Sequence, residues 1–124
     1  MKIHLTKNAP APIGPYSQAV EVDGFLFCSG QIALDPQTSQ VVSGGVKEQA
    51  AQVMKNIEAV LKQADMKFSN VIKTTIFLTD MNDFAAVNEV YGAYFQSNPP
   101  ARSTVAVAGL PKGVQVEIEI LAKR

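Results

Sequence analysis

Arg102 is one of only two arginines in the chain, and it follows Pro99-Pro100-Ala101, a stiff lead-in that fixes the main chain where a strand begins. A planar guanidinium placed so can grip a carboxylate through two parallel N–H bonds, which a lysine cannot copy. The plainer use of such an arginine is an ion pair with an acidic neighbour. Glu117 and Glu119 share one face of the β-branched run 114–122. A partly buried carboxylate there could act as a general base for water, and a solvated one is only a charged strand face. Tyr16 follows Ile13-Gly14-Pro15, a rigid loop that either offers its phenol to a ligand oxygen or simply packs it. Ser29-Gly30-Gln31 interrupts an apolar strand with a glycine, where a ligand or another main chain can come close, or where a bulge forms.

Other residues point away from other chemistries. Cys28 is the sole cysteine, lies among Phe25, Phe27 and Ile32, and has no cationic neighbour in sequence, so it reads as a buried, inert thiol. One histidine and one cysteine make no metal site within a chain. Ser43-Gly44-Gly45 reads as a helix start more than an anion cradle. Eleven basic residues balance eleven acidic ones, with no basic stripe interleaved with aromatics, so neither nucleic acid nor an anionic membrane is an expected partner.

These side chains need elements to hold them. The chain has 124 residues, 47% apolar and 18% charged, which suits one domain spanning 1–124 with a core that buries roughly two-thirds of the unfolded surface. No apolar run approaches the ~20 residues of a membrane span, and residues 1–6 lack a signal peptide's apolar stretch, so a soluble cytoplasmic protein is expected. Three prolines in Pro10–Pro15 exclude helix and call for an extended path across the surface or over a neighbour. Strands are expected at Ser17–Val22 and Phe25–Ile32, joined at Asp23-Gly24, whose residues tolerate the positive φ of a primed turn. Val46–Ala64 is an amphipathic helix, with Ala50, Val53, Met54, Ile57, Val60, Leu61 and Ala64 on one face and Glu58 spaced to pair with Lys62. Val71–Thr79 is a β-branched strand. A second helix is expected from about Asn82 to Phe95, its Gly92 marking a close helix–sheet contact. Ser103–Ala108 and Val114–Ala122 are expected to form a closing hairpin around Leu110-Pro111-Lys112-Gly113, with a type I turn. In that register Arg102, Thr104, Glu119 and Glu117 share one face, with Arg102 and Glu117 about 13 Å apart along the hairpin.

Two helices cannot cover both faces of a six-stranded sheet, so both belong on one face. Apolar residues on the other face then call for cover from further subunits.

Taken together, Ala11-Pro12-Ile13-Gly14-Pro15-Tyr16-Ser17-Gln18, Ser29-Gly30-Gln31-Ile32, Asn82-Asp83-Phe84 with Val87-Asn88, Pro100-Ala101-Arg102-Ser103, and Leu110-Pro111-Lys112-Gly113 before Val116-Glu117-Ile118-Glu119 resemble the RidA/YjgF family of reactive-intermediate deaminases, in order and over essentially the whole chain. The resemblance implies a chorismate-mutase-like α+β subunit, a six-stranded mixed sheet with two helices on one face, assembled as a homotrimer with clefts between subunits. It implies hydrolysis of 2-iminobutanoate and 2-iminopropanoate to 2-oxoacids and ammonia, sparing pyridoxal-phosphate enzymes from these species, with no metal or organic cofactor. Carried onto this sequence, Arg102 clamps the substrate carboxylate, Glu117 activates water, Tyr16 and the main chain at Gly30 orient the imine, and Phe84 and Asn88 shape the cleft. Thr104 stands where many members have cysteine, and Pro99 where a bulky residue is common. A non-catalytic 2-oxoacid sensor is the main alternative, ahead of a ribonuclease or translation inhibitor.

Overall fold

A computed structural model describes residues 1–124. Six strands, β1 (Lys2–His4), β2 (Ala19–Val22), β3 (Phe25–Cys28), β4 (Val71–Leu78), β5 (Ala101–Ala106) and β6 (Val116–Lys123), form one mixed sheet in the order β1-β2-β3-β6-β4-β5. Helices α1 (Val46–Gln63) and α2 (Phe84–Gly92) pack on each other and on one face of it, giving the expected α+β arrangement. No helix is long and apolar enough to cross a membrane.

Local sequence explains most of these elements. Asp23 and Gly24 take positive φ (53° and 81°), and β2 pairs with β3 in register around them. Gly45 starts α1, and the Glu48 carboxylate turns back to accept its N–H at 3.1 Å, filling the position where an anion could have docked. Every apolar residue expected on the inner face of α1 is buried, and Lys62 reaches Glu58 at 3.4 Å. The Asp80 carboxylate accepts the Asn82 N–H at 2.9 Å, capping a 3-10 turn that leads into α2.

The closing hairpin does not form, because β4 lies between β5 and β6. β5 runs parallel to β4 (Thr74 opposite Arg102), and β6 runs antiparallel to it on the other side (Phe77 opposite Glu117). Parallel neighbours need a crossover, and α2 supplies it. The chain then passes over the end of β4, where Val107 N–H donates to Leu78 O at 2.8 Å and Thr79 N–H to Gln115 O at 3.2 Å. At the turn, Lys112 takes φ 57°, the left-handed region at its third residue, so it is not type I.

Three smaller expectations change too. β3 ends at Cys28, and only Gln31 returns to the sheet, bridging Ile118. A bulge between Val71 and Lys73 breaks the alternation of β4, so Val71 is buried with Thr74, Ile76 and Leu78 while Ile72 is exposed. Gly92 closes α2 with open space around its Cα, so it marks no close contact. On the uncovered face Val20, Phe27 and Leu121 stand side by side, with Phe27 half exposed.

Candidate functional site

The residues singled out above fall into two groups. The first is built around the Gln31–Ile118 bridge, whose two main-chain bonds (2.8 and 3.1 Å) bring the 29–32 segment against β6. Gly30 thereby lies under Glu117. A Cβ at this position would overlap the Glu117 carboxylate, 2.9 Å from its Cδ, so the glycine leaves room for that carboxylate where it lies and is not there for its φ. Burial raises the Glu117 pKa above the ordinary carboxylate value, and the like charge of Glu119 raises it further. Glu117 and Gly30 line a cleft of about 540 Å³ together with Tyr16, Pro10, Ile13 and Lys112.

The wall opposite Glu117 is the proline-rich segment. Gly14 turns it with φ 123°, Tyr16 N–H closes the turn onto Gly14 O at 2.9 Å, and the Tyr16 hydroxyl accepts the Ile13 N–H at 3.3 Å. What ties this segment down is Gln18. Its buried carboxamide donates to the carbonyls of Thr6 (3.0 Å) and Pro10 (2.9 Å) and accepts the Thr6 N–H at 2.7 Å. The cleft floor has a similar tether: buried Asn56 of α1 donates to Ile32 O (3.1 Å) and Leu34 O (3.0 Å).

The second group lies near the far edge of the sheet. Arg102 on edge strand β5 donates to Asn88 Oδ1 of α2 at 2.7 Å, and its Cζ sits 5.3 Å from the Phe84 ring centroid and 5.1 Å from that of Tyr91. A second concavity, about 410 Å³, opens beside it between α2 and Pro99-Pro100. Thr104, two residues along on the same face, keeps its Oγ1 buried with no hydrogen-bond partner. A buried hydroxyl in this state is uncommon.

Arg102 and Glu117 do not share a face within one chain. Arg102 aligns with buried Thr74, on the helix-covered side, while Glu117 aligns with Phe77 on the open side. Two strand spacings and three residues of offset put their backbones about 14 Å apart, with the sheet between their side chains. So Tyr16, Gly30 and Glu117 are brought together, Arg102, Phe84, Asn88 and Thr104 are brought together, and the two sets remain apart.

Gln18 and Lys112 stand in the motifs quoted above without a role of their own, and Asn56 and Tyr91 join the two groups only in the structure. Gln18 and Asn56 did leave a signal, as amides where the surrounding pattern calls for an apolar side chain. The Cys28 thiol is pushed up to about 12 by burial, so no thiolate forms near neutrality. The one histidine, His4, has its Nε2 2.9 Å from Glu21 Oε1. No group of three or more His, Cys, Asp or Glu side chains gathers anywhere.

A family model described as endoribonuclease L-PSP matches residues 6–124. A RutC family protein of Synechocystis sp. is 58% identical over 98% of this chain and 95% of its own length. A mouse protein named 2-iminobutanoate/2-iminopropanoate deaminase is 54% identical over 98% of this chain and 90% of its own. Among solved structures, Escherichia coli TdcF with bound serine superposes with a TM-score of 0.95 at 44% identity, covering 100% of this chain and 99% of that one.

Proposed function

The chain belongs to the endoribonuclease L-PSP family, also called RidA/YjgF, and from that premise we propose that it hydrolyses reactive 2-iminoacids, 2-iminobutanoate and 2-iminopropanoate among them, to 2-oxoacids and ammonia. The observation that carries this reading is the Glu117 carboxylate, half withdrawn from water over Gly30 in a cleft that Tyr16 also lines.

The chemistry asks little beyond placement and a proton acceptor. A protonated imine carbon is already electrophilic, so a positioned water adds to it as Glu117 takes a proton. The new C–O bond gives a tetrahedral carbinolamine. Glu117 then returns the proton to nitrogen; as the C–N bond breaks and ammonia leaves, the carboxylate takes the hydroxyl proton, the C=O of the 2-oxoacid forms, and that proton passes to the ammonia, which departs as ammonium. Tyr16 and the main chain at Gly30 orient the imine. Arg102 holds the carboxylate, with Phe84 and Asn88 shaping that end and the free hydroxyl of Thr104 donating to the same anion in place of the cysteine common in the family.

One substrate can touch both residue sets only across a subunit boundary, so the active form is an oligomer, and the family resemblance makes it a homotrimer. The half-exposed Phe27 and its apolar neighbours supply a surface for assembly. In the cell the reaction clears imines released by pyridoxal-phosphate enzymes in the cytoplasm.

The experiment generates 2-iminobutanoate with threonine dehydratase in the presence of semicarbazide, which traps it as a coloured adduct. The protein suppresses the adduct and Arg102→Ala does not. Full suppression by that variant would remove Arg102 from the site. If neither suppresses it while 2-oxobutanoate still binds, the cleft belongs to a sensor, a reading favoured by the serine held by the TdcF structure. Cleavage of RNA that Glu117→Gln abolishes would instead favour the activity in the family's description.

A further inference from the structure

Arg102 is an exposed side chain on an edge strand, with many rotamers open to it. Beyond the bond to Asn88, what restrains it is aromatic, and the two rings beneath it differ. Phe84 is only partly buried, whereas Tyr91 is 5% exposed and wedged against Phe95 with centroids 4.7 Å apart. The Tyr91 hydroxyl is also tied, 2.8 Å from Thr74 Oγ1, a bond buried between α2 and β4. Thr74 is the residue that aligns with Arg102 in the parallel ladder. The cross-strand neighbour of the arginine is thus joined by one hydrogen bond to the ring under its guanidinium.

We propose that Tyr91, anchored by Thr74, is a positioning residue: its ring face holds the Arg102 guanidinium in place, so that the arginine meets an anionic ligand already ordered. This rests on the reading of Arg102 as the carboxylate clamp. A ring quadrupole attracts a cation without using any of its N–H donors, so four of the five guanidinium donors stay available after the bond to Asn88. Ordering the arginine in advance lowers the entropy that ligand binding would otherwise lose. The role differs from core packing, which needs neither the aromatic face nor the arginine.

The test measures the Kd of the full-length protein for 2-oxobutanoate, the expected product, by calorimetry, so that it survives loss of turnover. Tyr91→Leu removes the ring and weakens binding about three- to tenfold. Tyr91→Phe keeps the ring and binds more tightly than Tyr91→Leu. In an Arg102→Lys background, where the charge remains but the flat guanidinium does not, Tyr91→Leu has a clearly smaller effect. The kcat/KM for 2-iminobutanoate follows the same order. A Kd for Tyr91→Leu equal to that of the parent, or a loss of the same factor in both backgrounds, overturns the inference and leaves Tyr91 a packing residue. Should Arg102→Lys and Arg102→Ala both bind as the parent does, the clamp reading itself fails. If Tyr91→Leu does not fold, Tyr91→Met, which fills the core without a ring, makes the same comparison.

Discussion

Glu117 can serve as a base only if it is ionised at the working pH and still basic enough to take a proton from water. Its surroundings move it that way, through burial first and the neighbouring Glu119 second. Activity that needs the ionised form rises with pH through this raised value, so the acid limb of kcat/KM lies above the ordinary carboxylate range. Glu119→Gln deletes one of the two causes, and the limb moves to lower pH while staying above the ordinary value. A limb that is unmoved, or that moves upward, would show that Glu117 is not the group it reports. Gly30→Ala tests the same carboxylate sterically: the new Cβ overlaps it and displaces it, and kcat/KM falls on the order of ten- to a hundredfold while thermal stability changes little. At this scale the sequence was informative about kinds of residue. A guanidinium after a stiff lead-in, a glycine breaking a strand and a carboxylate in an apolar run were all visible. Which face each occupies was not, because that depends on strand pairing.

Pairing is where local signals and the fold part company. Asp23-Gly24 makes its hairpin because the turn residues and the strands they join are adjacent in the chain. Leu110–Gly113 carries an equally suggestive turn and makes none, since the partner of β5 is β4, reached through α2 and matched across more than twenty residues of sequence. The same non-locality hid the cluster that fastens the sheet edge to α1. Glu21 on β2 accepts from Arg124 Nε and Nη2 (3.1 Å each), and Arg124 also donates to Ala64 O at 2.6 Å, at the end of α1. The Arg124 bonds, then the His4 contact, hold the Glu21 carboxyl at about 2, down from 4.5. A carboxyl whose folded pKa is depressed stabilises the fold above its unfolded value, and that contribution is lost as pH falls through the folded one. Thermal midpoints should therefore drop between about pH 4.5 and 2, and Glu21→Gln should flatten this part of the profile while lowering the midpoint at neutral pH. A profile with the same acid slope in the variant would mean that the cluster does not govern acid sensitivity.

For the molecule as a whole, the decisive fact is that the sheet separates the two residue sets. A single chain presents Glu117 on one face and Arg102 on the other, each in a concavity of its own. If the site is completed between subunits, each boundary takes Glu117 from one copy and Arg102 from the next. Arg102→Ala and Glu117→Gln then make two inactive proteins that are defective in different halves of every site. Mixed and reassembled after mild denaturation, they form hybrid oligomers in which some boundaries combine the intact Glu117 of the first with the intact Arg102 of the second. At equal mixing about one boundary in four is intact in a closed ring with head-to-tail contacts, so activity returns to roughly a quarter of the parent's. The opposite result is as informative. Hybrids that form, as shown by exchange of a fluorescent label, yet stay inactive would mean that each subunit works with its own residues, which the sheet geometry allows only if β5 or β6 moves. Phe27→Glu supplies the control from the other direction: a charge on the half-exposed apolar face disperses the oligomer, leaves the buried side of the sheet intact, and takes activity with it.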